Sequence, residues 1–226
     1  MNTKKLILVA ATSALVCAAM AQGGGQRRGG FGQMGDPVQL LGREDVQKDL
    51  VLTDDEKAKI VDLGEKARQK RQESMQALFS NGGGGDPQER FKAMQPIMDK
   101  LNAENMTAIA GILTPDQVKR LKEITVQMVG VSIVTTNKDV QKDLEISDDQ
   151  KTKFADLRQK QMTAMQELFQ NSQGDRQAIT DGMAKNQKIM DVEINKVLTD
   201  AQKAKLKDMA GKPFTRVDPP PPGGGR

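Results

Sequence analysis

Val46-Gln-Lys-Asp-Leu50 recurs unchanged as Val140-Gln-Lys-Asp-Leu144, 94 residues later. The same offset relates Leu52-Thr-Asp-Asp-Glu56 to Ile146-Ser-Asp-Asp-Gln150. Met75-Gln-Ala-Leu-Phe79 returns as Met165-Gln-Glu-Leu-Phe169 after 90 residues, and Leu113-Thr-Pro-Asp-Gln117 as Leu198-Thr-Asp-Ala-Gln202 after 85. Two copies of such long units are too few and too long for a short-repeat solenoid. They predict two like halves, the arrangement of a fused symmetric pair. The fall from 94 to 90 lies within one long helical pattern and equals about one turn. Such a loss shortens a helix while keeping its apolar face.

Apolar residues recur at the helical spacing of about 3.6, and no stretch sustains strict alternation. Ile60, Leu63, Ala67, Met75 and Leu78 form one stripe, with polar Arg71 inside it. Phe154, Leu157, Gln161, Met165 and Leu168 form its partner. Phe91, Met94, Met98, Leu101, Asn105, Ala108 and Ile112 follow at alternating steps of three and four, a heptad seam with one polar position. Ile179, Met183, Asn186, Met190 and Val197 repeat it, again with Asn in the seam. Pro96 inside the pattern predicts a kink. Val131 to Val134 reads as a helix turn aligned with Val38 to Leu41. The expected fold is all-α: two tandem copies of a four-helix unit, short-long-long-short, in an extended helical-hairpin, cradle-like architecture.

The ends are of other kinds. Lys4 and Lys5, an apolar run from Leu6 to Ala19 and Ala19-Met20-Ala21 read as a signal peptide over residues 1–21, cut before Gln22. The mature chain is then expected to be periplasmic or secreted, without a transmembrane segment and without Cys17, the single cysteine. Lipidation at Cys17 is the weaker reading, because Val16 precedes it where a small residue is preferred. Residues 22–36 form a Gly-rich flexible linker, 37–130 the first helical repeat, 131–214 the second, and 215–226 a Pro/Gly-rich tail. Asn81 to Asp86 reads as a loop, with Asp86 as cap and Pro87 at the first helical position.

One motif occurs four times: Leu52-Thr53 with Glu56, Leu113-Thr114 with Gln117, Ile146-Ser147 with Gln150, and Leu198-Thr199 with Gln202. The hydroxyl caps a helix, and Glu or Gln three residues on reaches back to form a capping box. Asp in the first turn complements the helix dipole. Helix initiation explains these residues without any further role. The Leu-Thr-x-x-Gln pattern, twice per helical unit behind a signal peptide, resembles the Spy/CpxP family of periplasmic proteins. Leu113 to Gln117 and Leu198 to Gln202 match it fully; Glu56, Ile146 and Ser147 are variants. The resemblance spans about residues 37 to 214. It implies small all-α chains forming cradle-shaped dimers, some acting as ATP-independent chaperones, others modulating an envelope-stress sensor kinase, with metal-responsive relatives. The tandem copy departs from that pattern, leaving both a monomer with two pseudo-symmetric halves and a homodimer open.

Composition narrows the chemistry. The chain has no His, Trp or Tyr among its 226 residues. It therefore has no imidazole base, no Ser-His-Asp or Cys-His nucleophile system and no ordinary zinc site. Six Phe offer little to stack nucleic-acid bases, and a net charge of +4 is weak attraction for phosphate. No phosphate-binding Gly motif appears. The paired carboxylates Asp54/Asp55 and Asp148/Asp149 fall in first turns, where the dipole accounts for them. Lys66, Arg68, Lys70 and Arg71, with Lys151, Lys153, Arg158 and Lys160, read as solvated faces or as capture sites for acidic chains. Thirteen Met stand out, and flexible thioethers suit surfaces that repack around varied partners as well as cores. The expectation is a protein without catalytic residues, cofactor, metal or nucleic-acid site. Its candidate client surface is Met75, Phe79, Met94, Met98, Met165, Phe169 and Met190. The partners expected are unfolded or partly folded proteins, or alternatively one envelope sensor protein; a metal-responsive scaffold is the remaining reading.

Overall fold

The computed structural model describes residues 35–80, 87–172 and 174–217. The expected signal peptide, the linker up to residue 34, the Asn81 to Asp86 loop and the end of the tail lie outside the described residues, as does the Phe91 side chain; the linker's last residue, Asp36, is not free but caps α1. The order is α1 (Pro37–Leu41), α2 (Glu44–Asp49), α3 (Asp54–Ser80), α4 (Pro87–Ile112) and α5 (Pro115–Val129). A 3₁₀ segment (Gly130–Thr135) follows, then α6 (Lys138–Asp143), α7 (Asp148–Asn171), α8 (Arg176–Val197) and α9 (Asp200–Met209). Among the described residues there is no strand.

Each half opens with two short elements where one short helix is expected. The chain breaks at Gly42 and Arg43 after α1, and at Thr136 and Asn137 after the 3₁₀ segment. The Val131 to Val134 stretch is helical, as its alignment with Val38 to Leu41 requires, but wound as 3₁₀. The closing helix of the first half is longer than expected, 15 residues in α5 against 10 in α9. α4 continues as one helix through Pro96.

Two long hairpins, α3 against α4 and α7 against α8, carry more than half of the described residues. α3 has 27 residues, about 40 Å at roughly 1.5 Å per residue. Among the described residues, full burial lies towards the hairpin bases. The first core gathers Leu40, Leu41, Val46, Leu50, Leu52, Ile60, Ile109, Leu113, Leu121 and Ile124. The second gathers Val126, Val134, Val140, Leu144, Ile146, Phe154, Met190, Ile194, Leu198 and Leu206. The recurring residues thus occupy matching places: Val46 and Val140, Leu50 and Leu144, Leu52 and Ile146, Leu113 and Leu198, Leu121 and Leu206 are all buried. Gln47 donates to the Leu41 carbonyl at 2.7 Å, and Gln141 to the Val134 carbonyl at 2.8 Å. α5 joins the halves, sending Leu121 and Ile124 into one core and Val126 into the other.

Arg120 ties α5 to α2. It is 8% exposed and meets Asp49 in a two-point contact of 2.6 and 3.1 Å, with Glu123 at 3.0 Å. Hydrogen bonds from Arg120 hold the Asp49 carboxyl below the usual carboxylate range. Arg71, the polar intruder in the α3 stripe, has its own reason. It pairs with Asp36, whose other oxygen caps α1 at Val38 N–H.

The turns from α2 into α3 and from α6 into α7 share one geometry. Leu52 N–H bonds the Gln47 carbonyl and Val51 N–H the Lys48 carbonyl; Ile146 and Glu145 repeat both bonds to Gln141 and Lys142. This is a Schellman closure, which places the residue after the C-cap in the left-handed region. That residue is Val51 in one half and Glu145 in the other, both at φ 52°. Left-handed backbone costs a side-chain-bearing residue roughly 1–2 kcal/mol, and β-branched Val is among the least suited. Val51 is 79% exposed, so its side chain contributes little burial. We expect Val51→Gly to raise stability by about 1 kcal/mol, after the extra unfolded-state entropy of Gly is subtracted. A urea midpoint that falls in this variant contradicts the assignment of strain to this turn.

Candidate functional site

All four recurring motifs form reciprocal capping boxes. Thr53, Thr114, Ser147 and Thr199 accept from the backbone of Glu56, Gln117, Gln150 and Gln202 at 3.2, 3.3, 3.2 and 3.2 Å. The Glu and Gln side chains return bonds to the cap N–H at 2.8, 2.8, 3.1 and 3.0 Å. The boxes also meet in pairs. Gln150 Nε2 donates to Gln202 Oε1 at 2.7 Å, and Gln202 Nε2 donates back to Gln150 Oε1 at 3.0 Å. The remaining N–H groups go to backbone, Gln150 to the Val197 carbonyl at 2.9 Å and Gln202 to the Leu144 carbonyl at 3.2 Å. Each amide therefore uses two donors and two lone pairs, its full capacity. The backbone fixes their orientation, since a cap N–H must face oxygen and a carbonyl must face nitrogen.

The first half closes the same way with one change. Gln117 donates to the Leu50 carbonyl and to Glu56, both at 3.3 Å. The Glu56 side chain carries no N–H and accepts only. Its Oε2 takes the Thr53 N–H at 2.8 Å and the Thr53 hydroxyl at 2.9 Å. Those bonds, the backbone one first, hold its carboxyl below the ordinary glutamate range. The pairing was not foreseen from the sequence. Its one trace there is the use of Gln at three of four positions where Glu caps equally well.

The candidate client residues lie apart from these boxes, along the arms. Between Leu63 and Leu101, and between Phe154 and Met190, no described residue is buried. Met75, Met94, Met98 and Met165 are half-buried there. Asn186 donates to the Met165 sulfur at 3.8 Å, whereas Asn105, the other seam amide, is buried. Phe79 and Phe169, at recurring positions near the arm tips, are 56% and 51% exposed. Leu168 turns inward over Gly182, where an added Cβ would stand 2.3 Å from its Cδ1. The next residue, Phe169, then faces out. Met190 is corrected: at 5% exposure it belongs to the second core, one turn from Ile194 where α8 reaches the base. Ile189 and Val192, which the sequence reading passed over, are 52% and 54% exposed. Their signal was available, as both are apolar yet fall off the seam of α8.

No protein-family model, curated protein or solved structure matches this chain. Its chemistry must therefore be judged on its own residues.

The basic stretches are largely answered from within. Lys66 pairs with Asp62 at 2.7 Å, Lys70 with Glu104 at 2.9 Å and Arg71 with Asp36. Lys151 and Lys153 pair with Asp148 and Asp149, each at 2.8 Å. Such pairs add little stability when exposed, but they lower the net field an acidic partner meets. The first-turn carboxylates are thus accounted for: Asp148 and Asp149 in these pairs, and Asp54 and Asp55 with Lys57 and Lys59 at 2.9 and 2.7 Å. Arg158 differs: burial lowers its pKa, and its buried Nε has no hydrogen-bond partner. Among the described residues no three carboxylates converge on a point suited to a metal, and no helix is long and apolar enough to cross a membrane.

Two predictions separate pairing from capping alone. Gln202→Glu keeps a cap acceptor but removes both donated bonds and sets a carboxylate against Gln150 Oε1. We expect a loss of about 2 kcal/mol in urea unfolding, where capping alone predicts almost none. For Glu56 the depressed pKa means its stabilisation is present at neutral pH and lost as pH falls through its folded value. The stability gap between wild type and Glu56→Gln should therefore move against wild type between pH 7 and about pH 3. A gap that stays constant over that range removes Glu56 from the acid response.

Proposed function

We propose that this chain is an extracytoplasmic, non-enzymatic helical protein, similar to the Spy/CpxP family, that binds exposed apolar segments of other proteins without nucleotide. One observation carries the reading. Phe79 and Phe169 stand more than half exposed at recurring positions on arms whose inner residues are themselves only half-buried. Six Phe serve the whole chain, and large apolar side chains are normally spent on the core. Placing two of them outside costs folding energy that a binding surface recovers on contact.

The half-buried Met75, Met94, Met98 and Met165 support the same reading, since unbranched thioethers adapt to unlike shapes. Ile189 and Val192 extend the apolar area of the second arm. The internal pairing of the Lys and Arg stretches favours apolar contact over charge as the main attraction. The recurring residues are read as the trace of a tandem duplication that puts two client-binding arms on one chain. The amino-terminal segment is read as a signal peptide that delivers the chain to the periplasm or beyond it.

The test is dilution of a chemically denatured client into buffer containing the mature chain without ATP, followed by light scattering. Suppression near equimolar ratio is expected. Phe79→Ser with Phe169→Ser should weaken it at least about tenfold, since each buried Phe contributes about 2 kcal/mol. Helicity should be unchanged, because neither side chain is in a core. Full suppression by the double variant would move the client surface elsewhere, and no suppression across several clients would favour a single dedicated envelope partner.

A further inference from the structure

Beyond α9 the chain turns back along α5 towards α2 as a strap, residues 210–217, which from Gly211 on has neither helix nor strand. It is gripped by its main chain. Gln127 Nε2 donates to the carbonyls of Ala210 at 2.5 Å and Lys212 at 2.8 Å, while Gln127 Oε1 accepts from Phe214 N–H at 2.8 Å. Arg120 donates to the carbonyls of Lys212 at 2.7 Å and Pro213 at 3.4 Å. At the far end Asp45 accepts from Val217 N–H at 2.9 Å, and Arg43 donates to the Val217 carbonyl at 3.1 Å. Within 211–217 only Phe214 is not exposed; it rests half-buried against the first core.

Four side chains on α5 and around the start of α2 thus read peptide groups, and one apolar seat reads a ring. Main-chain bonds supply affinity and the seat supplies a loose preference, the division seen when extended peptides are recognised. Three of the four readers, Arg120, Arg43 and Asp45, have partners outside the strap, whereas the bonds of Gln127 all go to it. Arg120 is fixed by Asp49 and Glu123, and Arg43 by two bonds to Asp45 at 3.0 and 2.6 Å. An open cleft of about 480 Å³, lined in part by Asp49, Asp116, Lys119, Glu123 and Lys212, continues beside it. The strap enters through Gly211 at φ 62°, where a Cβ would lie 2.3 Å from the Glu123 carboxyl, so this turn depends on glycine.

We propose that this groove binds extended segments of other polypeptides that carry an aromatic or large apolar residue, and that residues 212–217 are its tethered competitor. The inference deepens the proposed function by naming a client surface other than the arm tips. Tethering gives the strap a high effective concentration, so an incoming segment binds well only when the strap is loosened.

The probe is a labelled peptide with the sequence of residues 211–218, followed by fluorescence anisotropy on the full chain. Binding to Phe214→Ala is expected to be at least about tenfold tighter than to wild type. Gly211→Ala, which keeps the ring but strains the turn, should show a gain in the same direction. A peptide shuffled around its Phe should bind within a few-fold, a peptide lacking the ring should not bind, and Gln127→Ala added to Phe214→Ala should abolish binding. Equal affinity for wild type and both loosened chains, or no binding to a loosened chain with unchanged circular dichroism, overturns the proposal. So does strict dependence on the strap sequence, which makes the strap a structural tie. Client protection in the scattering assay without peptide binding defeats this inference alone. Peptide binding without client protection supports the groove and defeats the arm-tip reading.

Discussion

Each half of this protein is closed by two side chains that meet where two helices begin. Helix N-termini carry orphan N–H groups and partial positive charge, so bringing two together is unfavourable unless something answers both. Gln150 and Gln202 do so between α7 and α9. Each oxygen takes a cap N–H, each nitrogen takes a carbonyl at the end of a preceding helix, and the two amides bond one another twice. A fully satisfied polar cluster of this kind fixes position as well as contributing energy, since a partial slip leaves several partners unmet. Between α3 and α5, the Glu56 carboxylate substitutes charge for the missing donors and sits against the positive ends of both helices.

With the bases fixed, the arms need little burial of their own. The cores end within a few turns of the caps, and beyond Leu63 and Phe154 the hairpins run on half-buried Met, Leu and Ala. That distribution is costly for stability, because apolar area left in water contributes nothing to folding. The cost is tolerable only because the cores and polar closures at the base are complete. Surfaces for partners therefore have to be sought on the arms, or on the groove along α5 where the strap lies, and both are built from side chains the cores do not use.

The all-α class and the long helices were legible because capping residues and apolar spacing are local signals. The heptad seam from Met94 to Ile112 reads directly as α4, and the four caps read directly as four helix starts. What the sequence concealed was non-local or conformational. The split of the first short helix at Gly42 has no proline or strong breaker beyond one glycine. The left-handed Val51 and Glu145 carry residues that disfavour that conformation, so no turn signal marks them. Met190 sits in the same kind of stripe as Met183, and only the distance from the base separates core from arm. The strap was hidden across the end of the second repeat and the start of the tail, because its contacts come from its main chain, which leaves no pattern in the side chains.

The halves differ most where the strap is held. Arg120, buried and joined to Asp49 at two points, stands where the second half has Lys205, which reaches only Glu145 at 4.0 Å. Arg presents a planar fork able to bind a carboxylate and two carbonyls at once, and Lys does not. α5 continues through Val126, whereas α9 ends at Met209 and the chain turns away at the matching Gly211. The first half is thereby equipped to hold an extended peptide and the second to deliver one. Two identical halves would each offer a groove, or each a free end, and nothing would decide which held the other. By placing Arg on one side and Gly on the other, the sequence turns a near-symmetric chain into one with a single direction of engagement.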